Sequence, residues 1–421
     1  MLTRAVLLAS TAAKWGSIAG MGRALWAILA LAVGAARGGD DQISRIRARV
    51  AERTARIPNY TCLETIERRW YRGEHAASQV LDRLRIEVAV VEDREQFAWP
   101  GESGYESSEL QEVLRRGVTK YGDFAGFLSG IFVTGAATYT LVGEQPANGR
   151  RAIRYDYRVP KSSGYIQARD GVRAVIGYHG SFWVDPETLE LTRLEIEGDD
   201  IPVELKTPSV KLAIDYGLVA VGAGNFLLPE TTDVRVTSDH GLESRTVTGF
   251  SGCRQFVAES SISFGEQPVE QEGKQGGAGA ELPAGVTLEA EWAAPIDRKT
   301  AAAGDVVQAR LRKGAKTKGG ILIPKGAVLQ GRILRLETWG SARPCDMLAV
   351  RFTKIRFGGT QLGLRAVVIE FSTGRRERSG SLDWAGEYMH QISPGSPMFF
   401  WGGFSELPAG LPLTLRTVES R

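Results

Sequence analysis

The sequence predicts a mainly-β protein, antiparallel and with few helices. Three observations carry that expectation. Glycine is high at 50 of 421 residues, and with 17 prolines it is spread along the chain as turn formers are. Apolar residues recur at every second position, Leu84, Ile86 and Val88 being the clearest run. Turn pairs such as Asn148-Gly149 and Asp185-Pro186 stand between such runs.

In chain order, residues 1–38 are set aside first. Met21-Gly22-Arg23, the apolar run Ala24–Val33 and the small residues Gly34-Ala35-Ala36 have the layout of a secretory signal, too short to span a bilayer. The start at Met1 and a start at Met21 are both open, as are cleavage and retention of the segment as an anchor. No later apolar run is long enough for a membrane helix.

Asp40 to Ile57 reads as a helix, capped by Asp40 or Asp41, with Ile43, Ile46 and Val50 at helical spacing and Pro58 as its stop. Its other face carries Arg45, Arg47, Arg49, Arg53 and Arg56. That reads as a solvated face, with peripheral contact to anionic lipid headgroups as the sharper alternative. A second helix is expected at Ser107–Arg116. Strands follow at Tyr139–Val142, Ala152–Val159, Phe182–Val184, Leu189–Ile196, Leu212–Val221, Thr232–Thr237 and Ser244–Phe250, an antiparallel meander.

Gly265–Ala280, "GEQPVEQEGKQGGAGA", has too little apolar surface to offset its ordering entropy and reads as a linker. Two domains result, 39–264 and 281–421, each long enough for its own core. In an oxidising compartment Cys62 and Cys253 would lie near the two ends of the first domain. The expectation is a bridge between them with Cys345 left over; the alternative is three unpaired thiols.

The runs "RAIRYDYRVP", "GSFWVDPETLELTRLEIEGDDIP" and "IDYGLVAVGAGNFLLPETTDVRV" resemble, in that order, the outer-membrane lipoprotein carrier (LolA-like) superfamily. The resemblance covers roughly Asp40–Phe264 and implies a curved half-barrel sheet closed by helices over an apolar hollow for acyl chains. Candidate lining residues are Leu84, Ile86 and Val88, with Phe124, Phe127, Leu128 and Phe132 as a Gly-punctuated lid. The alternative is that they simply fill the core.

Leu282–Leu288 "LPAGVTL", Ile323–Leu329 "IPKGAVL" and Leu407–Leu413 "LPAGLPL" share the pattern Leu/Ile-Pro-x-Gly-x-x-Leu. Proline fixes a stiff corner and the glycine can take positive φ, so each copy reads as a turn between two strands. The central copy lacks the Lys-Ser/Thr and helix of a phosphate loop. The longer run Ala303–Glu337 resembles, in a match spanning about Leu282–Val368, the C-terminal β-barrel of type IV secretion and conjugation (TrbI-like) envelope proteins, without an apolar helical insertion that could form a pore. "MFFWGGF" at Met398–Phe404 is either a contact surface or a buried strand.

Catalytic signatures are lacking: no Gly-x-Ser-x-Gly, no His-Glu-x-x-His and no Cys-x-x-Cys. His179 has no evident acid partner in the sequence, and Asp199-Asp200 with Glu195 and Glu197 read as solvent-side carboxylates. Nothing calls for a metal or cofactor, and a net charge of +3 is too small to imply nucleic acid. The expectation is an exported, non-enzymatic envelope protein, secreted or periplasmic, that binds a lipid or lipoprotein acyl chain, its second domain an interaction barrel. The alternative is a scaffold or assembly component of an envelope complex that binds protein partners; a hydrolase ranks third.

Overall fold

The computed structural model describes residues 41–72, 79–91, 94–102, 108–115, 124–163, 165–167, 173–256, 282–316, 322–339, 345–371, 398–401 and 403–419. The expected signal at 1–38 and linker at 265–280 lie outside them. Helix α1 (41–54) ends ahead of Pro58, as the sequence requires.

The strands of the first half are β1 (Tyr60–Arg72), β2 (Gln79–Val91), β3 (Arg94–Ala98), β4 (Thr138–Glu144), β5 (Ile153–Val159), β6 (Tyr165–Gln167), β7 (Arg173–Val175), β8 (Gly177–Val184), β9 (Leu191–Asp199), β10 (Ser209–Val221), β11 (Gly224–Thr237) and β12 (Leu242–Gln255). Helices α2 (Ser108–Arg115) and α3 (Phe124–Leu128) lie between β3 and β4, and α3 continues into a π-helical turn, Ser129–Val133. β6 and β7 form a small hairpin of their own. The rest make one antiparallel sheet in the order β4-β5-β8-β9-β10-β11-β12-β1-β2-β3.

Local chemistry explains its turns. Asn148 and Gly149 both have positive φ (50° and 75°) in a two-residue turn closed by Ala147 and Arg150. β11 begins earlier than its alternation suggests, because Pro229 sits where the register with β10 shifts between Asp215 and Tyr216. A bulge between Thr61 and Leu63 sets Cys62 against Gly252 (φ 57°) and Cys253, and the two cysteines form the expected disulfide. Cys345 is free and buried.

The second half contains β13 (Thr287–Trp292), β14 (Ile296–Asp297), β15 (Val306–Leu311), β16 (Ala315–Lys316), β17 (Leu322–Ile323), β18 (Val328–Trp339), β19 (Cys345–Phe357), β20 (Thr360–Phe371), β21 (Met398–Trp401), β22 (Glu406–Leu407) and β23 (Pro412–Thr417). β13, β15, β18, β19, β20 and β23 pair in that order and β23 returns to β13, closing an antiparallel barrel. β21 flanks β19 with Met398 and Phe400 buried, so "MFFWGGF" begins as a buried strand.

The three Pro-x-Gly corners do the same work. Gly285, Gly326 and Gly410 have φ of 86°, 85° and 81°, and the residues before the prolines, Leu282, Ile323 and Leu407, are buried. Each glycine N–H donates to a strand end: Gly285 to Thr417 O (2.9 Å), Gly326 to Leu311 O (2.9 Å) and Gly410 to Trp292 O (2.8 Å). The same three residues return a bond from their own N–H, Thr417 to Val286 O, Leu311 to Ala327 O and Trp292 to Leu411 O. The corners hold the barrel wall together, each by one reciprocal pair.

The two halves meet at one apolar core, while the first half keeps a second core of its own. Ala301–Asp305 lies between β2 and β18: Arg85 N donates to Ala303 O (2.7 Å), Ala303 N to Arg83 O (2.9 Å) and Gly304 N to Ile333 O (2.7 Å). A Cβ at Gly304 would meet Arg85 O at 1.9 Å, so only glycine fits there. Ile66, Leu84, Ile86, Trp99 and the α2 residues Leu110, Val113 and Leu114 share one apolar core with the barrel. A buried Arg68–Asp82 pair lies beside it, and Asp82 faces Glu337 of β18, which is paired with Arg335.

Candidate functional site

Register alone lays out the covered face of the first sheet. One row runs Tyr155–Phe182–Leu194–Ile214–Thr232–Thr248–Ile66–Leu84 across β5, β8, β9, β10, β11, β12, β1 and β2. The next runs Tyr157–Gly180–Ile196–Leu212–Val234–Thr246–Arg68–Asp82. The first row is therefore apolar from β5 to β10, polar at β11 and β12 and apolar again at β1 and β2, whereas the second stays apolar through Val234 on β11 and is polar from β12 to β2.

A helical roof covers the first apolar stretch. From α1, Ile46 and Val50 are buried against it; from α3 and the π-helical turn come Leu128, Ile131 and Phe132, with Phe127 partly buried. Phe132 meets Phe182 edge-on at 5.0 Å, Phe127 meets Tyr178 at 5.6 Å, and Tyr155 stacks on Phe182 at 5.2 Å. Gly130 permits this approach, since a Cβ there would lie 2.5 Å from the Tyr178 hydroxyl.

The roof is fixed by polar latches. Arg47 Nε donates to Phe132 O (2.9 Å), which ties α1 to the π-helical turn. Arg49 and Arg53 both bond Glu190, at the start of the β9 segment, and the Tyr155 hydroxyl donates to Gln42 Oε1 (2.8 Å). Of the five arginines expected on that face, Arg47, Arg49 and Arg53 thus serve the fold and Arg56, just past the end of α1, pairs with Glu52, so the solvated reading holds for only part of it.

Tyrosines line the roofed face, and burial raises their phenol pKa values. Tyr178 is pushed up to about 12, chiefly by burial, with Tyr139 adding to it. Tyr157 is raised well above its usual range by burial, with the phenols of Tyr178 and Tyr216 adding, and Tyr216 is raised by burial with Tyr60 beside it. The alternation in "RYDYRV" carries this signal, yet the sequence reading passed over it because tyrosines on a strand also suit an ordinary core.

The expected lining residues do not come together. Phe127, Leu128 and Phe132 roof β5 and β8, while Leu84 and Ile86 belong to the core shared with the barrel. Val88 is buried opposite Cys62, beside the disulfide. Six strand spacings separate β8 from β2, about 29 Å measured along the sheet. The alternation of Leu84, Ile86 and Val88 gave their face correctly but not their neighbours. Phe124 begins α3, and its backbone alone is described.

The opposite face of the same sheet holds a concavity of about 600 Å³. Its floor follows the row Asp156–Ser181–Glu195–Ala213–Asp233, flanked by Arg158, His179, Glu197, Lys211 and Arg235 on one side and by Arg154 and Arg193 on the other. His179 does have an acid partner: its Nδ1 lies 2.7 Å from Asp199 Oδ1, and Arg158 pairs with the same carboxylate at 3.0 Å. Ser181 Oγ donates to Asp156 (2.7 Å) and so is not relayed to His179. Lys211 pairs with Glu197, Arg193 with Asp215 and Arg235 with Asp233, so the charges of this face answer one another.

No protein-family model and no curated protein matches the chain. Among solved structures it is similar to a DUF1329 family protein from Desulfovibrio piger, at 15% identity over 52% of this chain and 93% of that one, with a TM-score of 0.27. It is similar also to a LolA superfamily protein from Nitrosomonas europaea, at 11% identity over 51% and 93%, TM-score 0.27. A third is the lipoprotein LppX of Mycobacterium tuberculosis, at 12% identity over 52% and 98%, TM-score 0.20. No helix among the described residues is long and apolar enough to cross a membrane.

Proposed function

We propose that this is an exported, non-enzymatic protein of the cell envelope that takes a lipid or lipoprotein acyl chain between the helical roof and the aromatic face of the first sheet. The barrel is then an interaction module for envelope partners, joined to the first half through the shared core. One observation carries the reading: a sheet face rich in aromatic residues is roofed by short helical pieces hung on polar latches. Such a roof can lift as a unit, since Arg47 links its two parts, and the face below it offers apolar area to a hydrocarbon chain.

Native mass spectrometry of the delipidated protein after incubation with dioleoylphosphatidylglycerol vesicles tests it. Lipid-bound protein is the expected result; a protein that takes up none refutes the reading.

A second reading, a scaffold that binds protein partners without lipid, is favoured by the packing of the roof. Ile131 and Phe132 are 0% and 1% exposed, so side chains fill the space where a chain would lie. The same measurement separates the two.

A further inference from the structure

The roofed face holds one polar group that its packing does not use. Tyr216, on β10, belongs to the same core as Phe132 and Phe182 and is 6% exposed, and its hydroxyl has no hydrogen-bond partner among the described residues. Its neighbours differ. Tyr139 donates to Ile131 O, Tyr155 to Gln42 Oε1 and Tyr157 to Glu195 O (2.9 Å). A buried hydroxyl left unmatched is unfavourable, and phenylalanine would fill the same space without that cost. Native proteins pair nearly all such groups, so the exception calls for a partner.

Its position says which kind. Tyr216 lies two residues beyond Ile214 on β10, with Pro229 opposite it and the Tyr60 phenol beside it; the adjoining row through Ile214 runs to Leu194, Phe182 and Tyr155 toward β5 and to Thr232 and Thr248 toward β12. An amphipathic molecule laid across the strands would rest its hydrocarbon on the first set and its polar end near the threonines. The junction between those parts would then face the Tyr216 hydroxyl, a donor in need of an acceptor.

Resting on the acyl-chain reading above, we infer that the ligand of this face is an O-acyl (ester-linked) lipid whose carbonyl oxygen accepts a hydrogen bond from Tyr216. Tyr216 selects for the ester; the roof and the aromatic rows hold the chain. An ether-linked lipid of the same length lacks the carbonyl and leaves the hydroxyl unmatched.

The test compares loading of the full-length protein from vesicles of dioleoylphosphatidylglycerol with loading from vesicles of its dialkyl ether analogue, read by native mass spectrometry. Wild-type protein should prefer the diester by about 5–30-fold, the value of one buried hydrogen bond. Tyr216→Phe should load both lipids equally and, when empty, melt no lower than wild type. Equal loading of both lipids by wild type, or a preference retained in Tyr216→Phe, overturns the assignment of Tyr216 while leaving the acyl-chain site standing. A lower melting temperature of empty Tyr216→Phe also overturns it, since the hydroxyl would then have a partner within the fold. Failure of wild type to load either lipid removes the site itself.

Discussion

Ile86 has no exposed surface and packs with the barrel residues, so an arginine there would place an unpaired charge in a dry core. Ile86→Arg should therefore destabilise the protein by several kcal/mol, about 3 or more, seen as a lowered denaturation midpoint whether or not lipid is present. A folded Ile86→Arg protein of normal stability would mean that the shared core is wrong. The tyrosines give a second expectation. A phenol whose folded pKa is raised contributes stability that is complete below the unfolded value near 10 and is lost as pH climbs through the folded value. For Tyr178, held at about 12, that window is pH 10 to 12, and the loss is about 3 kcal/mol. Melting temperature should hold steady through neutral pH and fall above pH 10, and Tyr178→Phe should fall less steeply. A flat profile to pH 12 would contradict the burial of these phenols.

Among the elements, the Pro-x-Gly corners were readable because their requirement is local: a stiff φ at proline and a positive φ at glycine, both set by the residue itself. A Cβ on Gly326 would meet nothing within 4 Å, so Gly326→Val tests conformation alone and should cost about 1–3 kcal/mol. Equal stability of the variant would mean that the corner does not hold its left-handed glycine. The α1 arginines were less readable, because a helix face shows which residues share a side but not what is docked against it. Glu190, buried between Arg49 and Arg53, should matter more than its surface neighbours. Both arginines keep some exposure, so Glu190→Gln should cost about 1–2 kcal/mol. It should speed hydrogen exchange in residues 41–54 ahead of the rest of the sheet; unchanged exchange there would show that the latch does not hold the roof.

At the scale of the whole molecule, the contact between the sheet and the barrel was not legible in the sequence. Leu84 and Ile86 declare a buried face, but the identity of the opposing surface depends on Ala301–Asp305, more than two hundred residues on in the chain. Equally, the threonines at β11 and β12 that part the two apolar stretches gain that meaning only once β12 has paired with β1. The shared core and the Arg68–Asp82 pair beside Glu337 should make the chain melt in one calorimetric transition; two well-resolved transitions would show two independent domains. The pairing of β1 with β12 has a kinetic consequence too. The strand made first must wait for one whose linked cysteine lies 191 residues later, and the barrel closes only when β23 reaches β13. Both closures are of high contact order, so folding should be slow, and during that wait β1 and β13 offer bare edges to other emerging chains. A protein built this way depends on holding chaperones along its route more than its final stability would suggest.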